Sequence, residues 1–163
     1  MTEPIFDTVA IVGLGLIGSS VARGLKARGL ARRVVGYDSS TQVDARAKEL
    51  GFCDRVANTP AEAVKDAELV LIAVPVGATA DAVKSVTPHL REGVILTEVG
   101  SVKAAVIRQV LAVLPQGAAF VPGHPIAGTE HSGPDAGFAE LFDGRWAIPV
   151  SYTHLTLPTI LRV

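Results

Sequence analysis

Three groups of residues have the types and spacing that chemistry needs. Gly13-Leu14-Gly15-Leu16-Ile17-Gly18 is a G-x-G-x-x-G run that follows an apolar stretch and opens a helical one. That arrangement suits a dinucleotide pyrophosphate. Gly13 allows a tight turn, Gly15 lets the phosphates approach the backbone, and Gly18 lets helix and strand pack closely. Free N–H groups at the helix start, around Leu16 and Ile17, then face the phosphates, and the helix dipole favours their charge. Asp38, 20 residues after Gly18, stands where a carboxylate accepts from ribose hydroxyls and repels a 2′-phosphate. The following Ser39-Ser40-Thr41 holds no arginine to welcome that phosphate, which favours NAD over NADP. Asp38 has a plainer role as a cap on the next helix, which Ser40 could also fill. Glycine-rich first loops also occur in S-adenosylmethionine enzymes. Ala73-Val74-Pro75 ends an apolar run and should line the same cleft, although Pro75 alone would be only a strand terminator.

The second and third groups are Thr97-Glu98-Val99-Gly100-Ser101-Val102-Lys103 and Gly123-His124-Pro125-Ile126-Ala127-Gly128-Thr129-Glu130-His131-Ser132-Gly133. Singly, each residue has an ordinary reading. Ser101 precedes a helical stretch as an N-cap would. His124 suits a packed histidine, Thr129 and Glu130 suit a glycine-rich turn, and Lys103 suits a solvated first helical turn.

The elements that must position these groups alternate in kind. Apolar or β-branched runs at 8–12, 33–37, 69–74, 94–97 and 119–121, with a short one at 55–57, read as strands. Helical stretches at 16–27, 41–50, 60–65, 78–86 and 102–114 lie between them. Several strands are apolar without alternation, as strands covered on both faces must be. Thr59-Pro60-Ala61-Glu62 reads as a capping box, and Gly29 and Gly51 as left-handed C-terminal caps. Alternation of this kind predicts an α/β fold, a doubly wound Rossmann-type parallel sheet.

Composition bounds the rest. The chain has 163 residues, 48% of them apolar, and 15 basic residues balance 16 acidic ones. No basic excess points to nucleic acid. The stretch 8–22 is uncharged, but acids and no Lys or Arg precede it, and its glycines and serines suit neither a signal peptide nor a membrane span. A cytoplasmic protein with no membrane partner is expected. The single cysteine, Cys53, excludes an internal disulfide framework and a multi-cysteine metal site, leaves no metal expected, and reads as a buried structural thiol.

Together the glycine loop, Gly100-Ser101-Val102-Lys103 and His124-Pro125-Ile126-Ala127-Gly128-Thr129-Glu130 resemble the prephenate/arogenate (cyclohexadienyl) dehydrogenase family. The resemblance runs from about residue 8 to residue 146, and the His-Pro-Ile-Ala-Gly run carries most of its specificity. It implies NAD-dependent oxidative decarboxylation of prephenate or arogenate in tyrosine biosynthesis. Hydride leaves the ring carbon bearing the hydroxyl, carbon dioxide departs and the ring becomes aromatic. By position in the motif, His124 would take the hydroxyl proton. Ser101 would hydrogen-bond that hydroxyl or the nicotinamide ribose, and Thr129 and Glu130 would border the substrate side chain. Glu98 stands where the family often has Asp.

The family continues into a helical domain that supplies a homodimer interface and an arginine for the ring carboxylate. This chain diverges at Pro149 and Val150. It is therefore expected to be truncated before that domain, with residues 1–149 as the dinucleotide-binding domain. Residues 150–163 resemble translated adapter DNA and are expected to be a non-native tail. Such a chain should bind cofactor and be weak or inactive in catalysis alone. Two alternatives stand beside this reading: an inactive NAD-binding module, and a Rossmann dehydrogenase of the β-hydroxyacid type.

Overall fold

A computed structural model describes residues 3–149 and 161–162. The strands are β1 (Phe6–Val12), β2 (Ala31–Tyr37), β3 (Arg55–Val56), β4 (Leu69–Ile72), β5 (Ile95–Glu98) and β6 (Ala119–Pro122). The helices are α1 (Leu16–Ala27), α2 (Thr41–Leu50), α3 (Pro60–Val64), α4 (Thr79–Val86) and α5 (Lys103–Leu111). The six strands form one parallel sheet in the order β3-β2-β1-β4-β5-β6. That is the doubly wound order, and it reverses between β1 and β4. A short antiparallel pair, β7 (Trp146–Ala147) with β8 (Leu161–Arg162), stands apart from it. Apart from that pair, the expected non-native tail lies outside the described residues.

The unalternating apolar runs have a direct explanation in the two cores. On one face Ala10, Val12, Val35, Val70, Ile72 and Leu96 pack with Val64, Val83, Val86, Val106 and Val110 of α3, α4 and α5. On the other, Val9, Ile11, Val34 and Leu71 pack with Ala22 of α1, Ala47 of α2, Phe52 and Cys53. Successive residues of one strand thus enter opposite cores, so each must be apolar. Burying each such Val or Ile contributes about 1.5–3 kcal/mol.

Local signals fix most helix ends. Gly29 has φ +63°, its N–H donates to Lys26 O, and the Leu30 N–H donates to Leu25 O, closing α1 with a paired C-terminal motif. Gly51, at φ +65°, closes α2 through Ala47 O. Thr59 Oγ1 accepts from the Glu62 N–H at 3.2 Å, while Glu62 reaches back to the Asn58 N–H, one residue beyond the usual partner.

Most boundaries fall within one or two residues of expectation, and the differences around β4, α4 and α5 bear on the site. β4 stops at Ile72 rather than residue 74: the Ala73 N–H still donates to Val12 O, and Ala73 O then lies against Gly13. A 3-10 turn (Val76–Ala78) precedes α4. α5 starts at Lys103, and Ser101 is not its N-cap: Val102 holds that position, with no side-chain cap bond. The stretch to Leu114 is a tightened last turn in which Val113 and Leu114 N–H both donate to Val110 O.

After β6 the chain returns across α1. Arg23 Nη1 donates to Pro134 O at 3.2 Å, and Ser20 Oγ accepts from the Phe138 N–H at 3.1 Å. Arg46 Nε bonds Asp135 at 2.9 Å. A Cβ on Gly137 would lie 2.1 Å from Ser19 Oγ, so only glycine lets the return segment sit this close.

Two measurements check this packing. A Cβ on Gly18 would lie 1.9 Å from Gly13 O, whereas nothing lies within 4 Å of one on Gly77. Gly18→Ala should therefore lower stability by about 1–3 kcal/mol in urea unfolding, and Gly77→Ala by less than about 0.5 kcal/mol. Burial pushes the Cys53 thiol up to about 12. The native protein should leave it unreacted with an aromatic disulfide reagent at about pH 8, and urea should release it; prompt reaction of the folded chain would contradict the packing.

Candidate active site

Strand register alone assembles the chemistry-bearing residues. Tyr37, Val12, Ile72, Glu98 and Pro122 form one continuous row of paired positions across β2, β1, β4, β5 and β6. The chain leaves the sheet immediately after each of them. Asp38 and Ser39, the glycine loop, Ala73-Val74-Pro75, Gly100-Ser101 and Gly123-His124 therefore all emerge on the C-terminal edge. Four strand spacings, about 19 Å, separate the ends of the row. A parallel sheet is the cause, since every strand must end on the same side.

The glycine loop meets each requirement placed on it. Gly13 has φ +97° and is pressed against Ala73. Gly18 faces Gly13 O and Ile11 Cγ2, and a Cβ on Gly15 would meet nothing within 4 Å. Two glycines are thus needed for packing, and the third leaves its face open. A cavity of about 420 Å³ lies beside them, lined by Gly13, Gly15, Asp38, Ser39, Val74 and Pro75 among others. Leu16, Ile17 and Gly18 do not line it; they lie in the first turn of α1 behind the open loop.

Asp38 does not cap α2, a role that falls to Ser40; its carboxylate instead ties the end of β2 to the glycine loop. Its Oδ2 accepts from the Leu14 N–H at 2.8 Å, tying β2 to the glycine loop, and its Oδ1 accepts from the Ser40 N–H at 2.9 Å. Ser40 caps α2 by accepting from the Val43 N–H. The Asp38 N–H donates to Asp44 Oδ1 at 3.0 Å. Burial raises the Asp44 carboxyl above its ordinary range, opposed by that hydrogen bond and by Lys48, while the Asp38 charge adds to the rise. Paired carboxylates at this end disfavour an additional phosphate. Tyr37, Val43, Asp81 and Ser85 also line the cavity, and the motif reading did not name them. Asp81 and Ser85 share one face of α4 at i, i+4, a signal that could have found them once α4 was placed on this edge.

At the other end Glu98 is 1% exposed. Its Oε2 accepts from the Gly100 N–H at 2.8 Å, and its Oε1 pairs with Lys103 Nζ, which also donates to Gly123 O. Lys103 is therefore not solvated at the first turn of α5. This buried carboxylate organises the turn that Ser101 was expected to cap. Ser101 itself is exposed on that turn. His124 is half-buried; its N–H donates to Ile148 O, and its carbonyl accepts from the Ile148 N–H, both at 3.0 Å. Its Nδ1 is buried with no hydrogen-bond partner among the described residues. A cavity of about 260 Å³ lies here, lined by Thr97, Glu98, His124 and Ile148 among others. Thr129 and Glu130 line neither cavity. Thr129 Oγ1 accepts from the His131 N–H at 3.2 Å, which orders the turn, and Glu130 is 84% exposed beside His131. Among the described residues no helix is long and apolar enough to cross a membrane.

The model of the prephenate dehydrogenase nucleotide-binding domain matches residues 21–154. The chain belongs to the prephenate dehydrogenase family. Membership sets aside the β-hydroxyacid and S-adenosylmethionine readings of the glycine loop. Among prephenate dehydrogenase relatives, the cyclohexadienyl dehydrogenase of Zymomonas mobilis is 47% identical over 98% of this chain and 54% of its own length. The prephenate dehydrogenase of Bacillus subtilis is 36% identical over 87% of this chain and 38% of its own length. The crystal structure of Aquifex aeolicus prephenate dehydrogenase with hydroxyphenyl propionate and NAD+ superimposes with a TM-score of 0.82 at 30% identity. That match covers 90% of this chain and 51% of the solved one. The chain thus spans about half the length, or less, of the relatives it matches.

Proposed function

We propose that residues 1–149 are the dinucleotide-binding part of an NAD-dependent prephenate or arogenate dehydrogenase. The observation that carries this reading is the single C-terminal edge on which the open glycine loop, Asp38 and His124 all emerge. The fit to a dinucleotide is physical. Gly15 leaves space where phosphates would approach, the start of α1 offers its N–H groups, and Asp38 stands at the ribose end with its position fixed by Leu14 and Ser40. When bound, NAD+ supplies the hydride acceptor.

The remaining work falls to this chain's residues. Val74 and Pro75 wall the cavity beyond the glycine loop. His124, at the end of β6 beside the second cavity, takes the proton of the substrate hydroxyl. Ser101, at the end of the adjacent strand, donates to or accepts from that hydroxyl or the cofactor ribose. Thr129 and Glu130 border the substrate side chain from the loop that follows. Aromatisation provides much of the driving force, so a mild base held in place suffices. A cytoplasmic setting, and a homodimer built through the rest of the relatives' length, belong to the same reading.

Calorimetry on the chain should show NAD+ binding at least about tenfold tighter than NADP+, or about 1.4 kcal/mol. Gly15→Val should weaken NAD+ binding by about tenfold or more with little change in the urea midpoint, since its side chain enters open space. Absence of NAD+ binding would sink the reading. In a protein of the relatives' full length, His124→Ala should lower turnover of prephenate or arogenate by more than about tenfold. A smaller loss would remove His124 from the proton-transfer role.

A further inference from the structure

The Glu98–Lys103 pair has no part in the proposed chemistry, yet its contacts reach the residues immediately before Ser101 and His124. The Glu98 carboxylate accepts from the Gly100 N–H, immediately before Ser101. The Glu98 carbonyl accepts from the Gly123 N–H at 3.1 Å. Lys103 Nζ pairs with the carboxylate and donates to Gly123 O. That oxygen belongs to the Gly123–His124 peptide, whose N–H donates to Ile148 O. This one peptide unit is thus held at its carbonyl by an ammonium and at its N–H by Ile148, just past β7. The room for the carboxylate depends on Gly100, because a Cβ there would lie 2.9 Å from Glu98 Oε2; a Cβ on Gly123 would stand 3.3 Å from Glu98 O. Lys103 is 18% exposed and Glu98 1%, so little water competes for these bonds.

We propose that Lys103, paired with Glu98, is a positioning residue that locks the Gly123–His124 peptide and the Gly100-Ser101 turn into one frame. The role assigned to the frame rests on the dehydrogenase reading, while the frame itself is a property of the folded chain. Charge-assisted bonds are shorter and stronger than neutral ones. Placing an ammonium under the peptide that carries the histidine therefore restricts the imidazole more than a neutral donor would.

The test uses the chain with NAD+ calorimetry, amide hydrogen exchange and the imidazole nitrogen shifts of His124. In Lys103→Met, the His124 amide should exchange at least about tenfold faster and the imidazole shifts should move, while the Gly100 amide keeps its Glu98 acceptor. Ile11 and Val70 should keep their protection. NAD+ affinity should stay within about twofold, and Lys103→Arg should restore the His124 signals. If the lone charge left on Glu98 prevents folding, the neutral double variant Glu98→Gln, Lys103→Met serves instead. There the Gly100 amide should remain protected by the glutamine carbonyl while the His124 amide loses protection. A His124 amide and imidazole unchanged in either variant would overturn the proposal, as would a loss of protection spread equally to Ile11 and Val70. Failure of the unsubstituted chain to bind NAD+ would strike the dehydrogenase reading alone, since exchange reads the frame without cofactor.

Discussion

The carbonyl oxygen of Gly13 occupies the place where a side chain on residue 18 would begin, 1.9 Å from that ideal Cβ position. Much of the site depends on that close approach. It brings the start of α1 against the end of β1, so the free N–H groups of the helix face the sheet edge. It also turns the chain at φ +97°, where Gly13 can lie against Ala73 at the end of β4. The reversal of strand order between β1 and β4 is thus sealed by backbone rather than by side chains. A cleft remains only because Gly15 adds nothing to it. Side chains at 13 or 18 would open the junction, and one at 15 would fill the cleft.

The sheet then extends this local geometry over its width. Parallel pairing in one register forces the ends of β2, β1, β4, β5 and β6 into a row. Residues 38, 74, 101 and 124 are brought to one edge by that register. Direct bonds then trim the arrangement: Asp38 to Leu14 on the dinucleotide side, Glu98 to Gly100 and Lys103 on the other. The return segment anchored to α1 by Arg23 and Ser20 keeps the loop after His124 on the same body as the glycine loop.

Much of this was legible in the sequence because the governing constraints are local. The bounds of α1 and α2 follow from glycine and serine signals at their ends, and the parallel sheet follows from apolar runs that do not alternate. The glycine spacing specifies a backbone geometry that other residue types fill badly. What escaped was set by partners distant along the chain. Ser101 reads as a cap by type and place, but α5 begins at Lys103 with Val102 in the cap position, and no rule of spacing reveals that Glu98 is buried and takes the Gly100 N–H. Lys103 reads as solvated because its acceptor, Gly123 O, lies 20 residues away, just past the end of β6. The lining positions on α4 became visible only once the sheet order placed that helix beside the glycine loop.

The Glu98–Lys103 pair shows why such a feature persists. Removing two charges from water costs several kcal/mol per ion, and a buried pair often contributes no more to stability than apolar residues of similar volume. Stability alone would thus favour a Leu or Met at these positions, in keeping with the valines and leucines that fill the rest of the core around β5. A hydrophobic pair would leave Gly123 O and the Gly100 N–H without partners, and both lie at strand ends where no further ladder satisfies them. The ionic pair costs more to bury but satisfies several backbone groups of fixed direction at once. It gives orientation where an apolar contact gives only proximity. At this sheet edge the buried charges therefore contribute direction to the Gly100 N–H and Gly123 O rather than net stability.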